Sequence, residues 1–560
     1  MNENEIKNKP DSLHSIRNAA LVFIIALVVM VIFDQLIYDR QWGVQFLITT
    51  VLVLIGLGIL VLVNKKKVPW QSLLLLVPIL FGAVMTIFRR ETSTTVFNVL
   101  LTLSSLMLLA MTLLNGQWLR YRMREALLGL LLLVQSTLID PIRLMIARST
   151  AAKELSLQEK DTPWKKVWPY LRGVLIALPL LLAFGALLSS ADLIFKDRLA
   201  HLFDWLKFED FGEFIGRTIY VLILAYLLAG AYIHALTRSA EQKSLSPDKA
   251  LIAPFLGYTE AVTVLTLINL LFLGFLIVQF RYFFAGQENI SLQGFTYSEY
   301  ARRGFFELLA VTLISLGLHY LLDMFTKRSG HKEKRMFSIL EALLLLQVGV
   351  ILVSAFQRLS LYEAAYGFTT LRTLTHIFMI WLGVLLAAAA LMQIFKRFNR
   401  LAQVFFLVFF GFTLTLNLVN VDQFIAQRNV EHAIAGNPLD ARYLVWNLSD
   451  DGIPTLFEYK EAADTSIELK RDLYATLACS YISRTDREQD RDFWASWHAS
   501  AAQATALFDQ NSAELLDYPF IKRTENTIYF EDGKEIDVPV ETYSLIVNGE
   551  EIWCGDKLLP

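Results

Sequence analysis

Long uncharged apolar runs, parted by short polar segments that carry most of the charge, fill the chain from about residue 16 to residue 419. A hydrocarbon core about 30 Å thick is crossed by roughly 20 helical residues at a rise of about 1.5 Å each. Eleven stretches meet that length: Ile16–Phe33, Val44–Val63, Pro69–Phe88, Val96–Leu114, Gly173–Phe195, Phe214–Leu236, Tyr258–Phe280, Phe305–Leu322, Phe337–Phe356, Leu374–Phe395 and Leu401–Val419. The first does not read as a cleaved signal. It lacks a small-x-small site, and a second run follows closely. One further run, Leu127–Leu138, is short and lies between Arg120, Arg122 and Arg124 on one side and Asp140, Pro141 and Arg143 on the other. That length predicts an interfacial or re-entrant helix rather than a full crossing.

From residue 420 the pattern changes. Helical periodicity runs through Asp422–Ile434, Asp440–Leu448, Ser466–Ser483 and Glu488–Phe508, with Gly436-Asn437-Pro438 as a break. Asp450, Asp451 and Pro454 read as an N-cap with a proline in the first turn. Thr527–Phe530 and Glu535–Val538 then flank Asp532-Gly533, and Tyr543–Val547 and Glu551–Cys554 flank Asn548-Gly549, a strong signal for two-residue hairpins. The expected fold class is an all-α polytopic membrane bundle of about 11 transmembrane helices with a C-terminal α+β soluble domain, about four helices and then a small antiparallel sheet. The expected domains are a transmembrane domain over 1–419, with the interfacial or re-entrant helix near 127–138, and an acidic soluble domain over 420–560, helical over 421–510 with β-hairpins over 526–555.

Composition agrees. Of 560 residues, 55% are hydrophobic and 19% charged, and mean hydropathy is +0.45. Ordinary soluble domains are about 45–50% apolar and about 25% charged, so a chain of soluble domains is excluded. The net charge of −2 conceals a division: residues 1–419 hold 39 Lys+Arg against 27 Asp+Glu, and residues 420–560 hold 12 against 26. The acidic tail argues against nucleic acid, whose phosphates it would repel. With the N-terminus inside, the inside segments carry 27 Lys/Arg and the short outside loops 11. This predicts a multi-pass protein of the cytoplasmic (cell) membrane with a cytoplasmic N-terminus and the C-terminal domain outside. Cys479 and Cys554 lack metal-ligand spacing. Outside, they could form a disulfide, but two partly buried free thiols are the expected state.

Charged residues on these spans gather near their ends, and one boundary is richest. Gln279-Phe280-Arg281-Tyr282 closes one span, and Tyr297, Tyr300, Arg302, Arg303 and Glu307 open the next, with Arg303 and Glu307 four apart on one helix face. In the following loop Arg358, Tyr362 and Tyr366 recur at the same interval, before Arg372. Arginine beside tyrosine can grip phosphate or carboxylate headgroups through forked hydrogen bonds and stacking. An interfacial tyrosine belt with charge-neutralising arginines explains the same pattern. The eight histidines have no zinc spacing, and no phosphate loop, dinucleotide fingerprint or serine elbow occurs, so no metal, cofactor or catalytic residue is assigned. The expected role is a non-enzymatic sensor, receptor or envelope assembly component, with membrane lipids and an anionic envelope ligand, polymer or protein as partners. A transporter would instead use Asn269, Gln347 or Asn417. An enzyme acting on a lipid-linked substrate would use Asp34, Asp39 or Glu307.

Several strings then combine. Phe280-Arg281-Tyr282-Phe283-Phe284 is followed by Thr296-Tyr297-Ser298-Glu299-Tyr300-Ala301-Arg302-Arg303-Gly304-Phe305. Next come Arg358-Leu359-Ser360-Leu361-Tyr362, Ala365-Tyr366-Gly367-Phe368-Thr369 and Leu371-Arg372. Last are Asn420-Val421-Asp422, Ile425-Ala426, Arg428-Asn429, Leu439-Asp440, Tyr443-Leu444 and Leu448-Ser449. Over roughly residues 170–455 the sequence resembles a bacterial multi-pass membrane family known as domain of unknown function 4173, related to 4153. The resemblance implies a bacterial integral membrane protein and no particular activity.

Overall fold

The computed structural model describes residues 16, 18–38, 40, 42–155, 188, 211–240, 254–283, 305–328, 330–395, 400–463, 465–487, 494–531 and 534–558. These fall into two compact units. One comprises Met1–Tyr38, Leu52–Lys67 and Leu131–Glu241, the other Asp39–Val51, Val68–Leu130 and Gln242–Pro560. Eleven helices among the described residues are long and apolar enough to cross a membrane, and between 22% and 50% of each one's apolar window is buried. The remaining apolar surface faces outward, where lipid must cover it. The protein is therefore a multi-pass membrane protein, mostly helical, with a small antiparallel sheet near its C-terminus.

In the first unit, α1 (Ala19–Ile37) packs on α7 (Phe211–Leu236) through Val29, Met30, Val221 and Ala225. Asp34 near the end of α1 accepts from Arg217 Nη2 at 2.8 Å, so this carboxylate is neutralised in place. α6 (Met123–Leu155) extends well past Leu127–Leu138, and its segment Met123–Arg148 is long enough to cross. The charges that break the apolar pattern are paired: Asp140 binds Arg238 at 2.7 Å and Arg143 at 3.5 Å. The run Gly173–Phe195 lies outside the described residues, apart from Leu188.

The second unit holds the start of α2 (Val44–Val63), α3 (Trp70–Leu73), α4 (Leu76–Phe88) and α5 (Thr92–Thr112). It also holds α8 (Tyr258–Phe283), α9 (Phe305–Phe325), α10 (His331–Tyr366), α11 (Thr370–Ile394) and α12 (Leu401–Val419). Pro78 cannot donate to Leu74, and the helix breaks there into α3 and α4. α4 and α5 lie close because Gly82 has no side chain; a Cβ would sit 2.6 Å from the Asn98 carbonyl oxygen. Leu344, Leu345, Val348, Ile351, Leu382 and Leu385 form the core between α10 and α11.

Asn420 ends α12 in the left-handed region at φ +52°, which asparagine tolerates better than most residues. The chain turns there into α13 (Val421–Ile434), α14 (Ala441–Trp446), α15 (Ile453–Glu461), α16 (Ile467–Arg487) and α17 (Ala499–Leu516). Five helices thus precede β1 (Ile521–Glu531), β2 (Lys534–Val547) and β3 (Glu550–Leu558), which form one antiparallel sheet in that order. The two expected inner strands are one continuous β2. Asn548 and Gly549 both have positive φ, as the tight hairpin between β2 and β3 requires. The Asp532-Gly533 turn lies outside the described residues.

Leu456, Phe457, Leu473, Leu477 and Phe508 form a core for the C-terminal helices. Cys479 of α16 and Cys554 of β3 form a disulfide, with Cα atoms 4.9 Å apart, inside a second core with Val445, Leu545 and Ile552. The expectation of free thiols is overturned: two cysteines 75 residues apart meet because the sheet packs on α16. Replacing both by alanine should destabilise the C-terminal helices and sheet by about 2–5 kcal/mol. The check is chemical or thermal unfolding of the full chain, with and without reductant, in which reductant should affect the parent and leave the double variant unchanged.

Candidate functional site

The helix ends that meet the C-terminal region carry a concentration of buried charge. Between α4 and α5 the chain makes a short turn, Arg89-Arg90-Glu91. Glu91 caps α5, accepting from the backbone N–H of Ser93 at 2.7 Å and of Thr94 at 2.5 Å. This frees the two arginines to point away from α5. Arg89 donates to the Asn417 carbonyl at the end of α12, at 2.8 and 3.1 Å, and Asn417 exchanges side-chain hydrogen bonds with Asn98 at 2.7 and 3.1 Å.

Ser449, rather than either aspartate, caps the turn Asp450–Gly452 that leads into α15, and Pro454 occupies the first turn of that helix. Asp450 and Asp451 are therefore not caps as the sequence pattern suggests. Asp450 receives Arg90 Nη1 on one oxygen and Arg484 Nη1, at 2.7 Å, on the other. Asp451 Oδ2 accepts the backbone N–H groups of Arg90 and Glu91 at 2.8 and 3.0 Å. Burial raises the pKa of Asp451, and the N–H groups and Arg89 oppose that rise. Asp422, in the first turn of α13, accepts from the Ser449 N–H at 2.7 Å through Oδ2, while its buried Oδ1 has no hydrogen-bond partner among the described residues. Desolvation pushes the Asp422 carboxyl up to about 7, with Glu91 and Asp451 adding repulsion and the bonds from Ser449 opposing them.

Two cavities flank this network, and Asp450 lines both. The smaller, about 450 Å³, is bounded by Arg89, Asn417, Asn420, Gln423, Asp451 and Ser500, with Phe81, Met85 and Phe88 on its apolar side. The larger, about 940 Å³, runs from Asp422, Tyr443 and Ser449 past Thr370 to Val96, Val99 and Leu100 of α5. One end is polar and belongs to the C-terminal region. The other is the apolar flank of a membrane helix.

The residues singled out from sequence fare unevenly. Tyr297, Tyr300, Arg302 and Arg303, and the side chains of Arg281 and Tyr282, lie outside what the structure describes. Glu307 is exposed. Arg358 is buried and donates to Gln279 at 3.1 Å. Tyr362, Tyr366 and Arg372 do come together. The two rings are 5.0 Å apart, and the Arg372 guanidinium lies 4.2 Å over Tyr362 while donating to the carbonyls of Tyr366 and Gly367. This cluster closes the α10–α11 turn, which also joins the C-terminal region through Asn429 on Phe368 and Tyr443 on Thr370. Of the amides considered for a transport path, Asn269 donates to the Leu265 and Leu340 carbonyls and Gln347 to the Asn269 carbonyl, so both bind backbone. Asp39 lies outside the described residues.

Residues missed by sequence reasoning are Arg89, Arg90, Asp422, Asp450, Asp451 and Arg484. The signal available was the doubling of charge, Arg89-Arg90 and Asp450-Asp451, in two short turns.

Asp422 gives the network a pH dependence. Its folded pKa stands above the ordinary carboxyl value of 3.8, so the native state holds the proton more tightly than the unfolded chain. Its contribution is most favourable below about pH 4, is lost as pH rises toward 7, and stays unfavourable above that. Asp422→Asn should therefore flatten the stability profile between about pH 4 and 7 and improve stability relative to the parent at pH 8. Unfolding midpoints across that range check this; an unchanged slope would contradict it.

Over residues 76–459 the sequence matches the family described as domain of unknown function 4153, a longer stretch than the strings noted above cover. Arg89, Arg90, Glu91, Asn417, Asp422, Asp450 and Asp451 all fall inside the match, and Arg484 outside it. No curated protein and no solved structure matches the chain. The chain belongs to the domain of unknown function 4153 family, and it is an integral membrane member of it.

Proposed function

We propose that this is a non-enzymatic receptor, sensor or envelope assembly component of a bacterial cytoplasmic membrane, with its N-terminus in the cytoplasm and the region after residue 419 outside. Its ligand is held where that region caps the helix ends. The observation that carries this reading is the larger cavity, whose walls come from both a membrane helix, α5, and the C-terminal region. Such a pocket suits a molecule that is partly in lipid and partly in water.

Three observations support the orientation. A disulfide persists in oxidising compartments, and Cys479–Cys554 lies in the C-terminal region. Short connections on the N-terminal side are basic, Lys65-Lys66-Lys67 between α2 and α3 and Lys396, Arg397 and Arg400 between α11 and α12. The third is a parity argument. The Gly43 entry to α2, the α4–α5 turn, the α10–α11 turn and the end of α12 all touch the C-terminal region. The turn before α6 lies instead at the start of α12, where Gln403 donates to the Tyr121 carbonyl and Trp118 packs on Phe406. Leu256, ahead of α8, pairs with Thr326 ahead of α10, also at that far end. α6 and α8 thus start on the same side, so an even number of crossings separates those starts. The described residues hold four candidate spans before α6 and five from α8 onward, so an even number between them gives an odd total, which supports opposite sides for the two ends of the membrane region.

Paired reporters, one active only outside and one only inside, fused in turn before Met1 and after Pro560 test this. The expected result is an inside N-terminus and an outside C-terminus. Termini on the same side, or a cytoplasmic C-terminus, would contradict the reading.

A further inference from the structure

We propose that the larger cavity is the headgroup site for a neutral, hydroxyl-rich lipid of the glycolipid type. The proposal rests on the receptor reading above and names its ligand class. Asp422 is fully buried at the wall of this cavity, and its Oδ1 has no hydrogen-bond partner among the described residues. A buried carboxyl oxygen left without a partner is costly, and a ligand hydroxyl, which both donates and accepts, would supply one whether or not the carboxyl holds its proton.

The other charges on the wall are already engaged. Both Glu91 oxygens cap α5, and Arg90 is bound to Asp450, which Arg484 shares. Among the described lining residues three are carboxylates, Glu91, Asp422 and Asp450, against one guanidinium. With Arg484 also on Asp450, the wall has no net positive charge to hold a phosphate headgroup, whereas a hydroxylated one needs none. Thr92 and Ser93 add hydroxyls that can accept or donate. Trp42 and Trp446, the latter with one face stacked on Trp553, also line the cavity, and aromatic rings suit the apolar side of a sugar.

The cavity then continues along Val96, Val99 and Leu100, and the exposure of Val96 and Leu100, 49% and 47%, leaves this flank open for a hydrocarbon chain.

The test is native mass spectrometry of the full chain, released from nanodiscs that contain equal amounts of monoglucosyl diacylglycerol and phosphatidylglycerol. The parent should retain the glucosyl lipid at least about tenfold over phosphatidylglycerol. Asp422→Asn, which puts an N–H₂ donor where an acceptor is needed, should weaken retention about tenfold. Val99→Trp, which fills the apolar arm, should abolish it, with an unfolding midpoint close to the parent's showing an intact fold. Phosphatidylglycerol retained in place of the glucosyl lipid and lost in Val99→Trp would overturn the ligand class and leave the receptor reading standing. Retention of neither lipid, or retention indifferent to Val99→Trp, would overturn both.

Discussion

The rest of the site depends on one buried carboxylate. Asp450 is shared between Arg90, from a turn between two membrane helices, and Arg484, in the last turn of α16. A charge removed from water must be compensated where it sits, and removing one partner of such a group generally costs several kcal/mol. The arrangement therefore fixes three segments distant in sequence. Arg484 is itself held by the Ala501 carbonyl and the Thr505 hydroxyl, and its guanidinium lies over Phe508. The constraint thus passes from the membrane helices into the core of the C-terminal region.

Apolar contacts alone would not give this precision. Ile377, Phe412, Leu416, Val421 and Ile425 make the greasy part of the joint, and such surfaces can slide. The hydrogen bonds from Arg89 to Asn417, from the Arg90 and Glu91 N–H groups to Asp451, and from Tyr443 and Asn429 to the α10–α11 turn set position and angle. A cavity whose walls belong to two parts of the chain keeps its shape only if those parts keep their register. The polar joint does that, and the disulfide stiffens the far side of the same region.

The membrane helices were legible because about twenty uncharged apolar residues in a row have few other uses. The hairpin at Asn548-Gly549 was legible because so few dipeptides take two positive φ values. Less visible was α6, whose apolar run looks terminated by Asp140 and Arg143. The structure shows these charges paired, and pairing with Arg238 is invisible to hydropathy. The site itself was obscured for the same reason. Asp450 and Asp451 have the composition of a helix cap, and only partners some 360 residues away reveal another role. Of the Arg358–Tyr366 pattern, Tyr362 and Tyr366 meet Arg372 at one helix end while Arg358 binds Gln279, and the sequence could not say that these arginines bind their own chain.

The central claim is that the Arg90–Asp450 contact couples the C-terminal region to the membrane helices. A double-mutant cycle with Arg90→Met and Asp450→Asn, read by unfolding of the full-length chain in one detergent, tests it most directly. The account predicts that each single change destabilises and that the two couple by about 2 kcal/mol or more, because each removes a direct ion-pair partner of the other, with Arg484 alone left on Asp450 in Arg90→Met. Additive effects within about 0.5 kcal/mol would mean that the two groups do not act on each other, and would contradict the account.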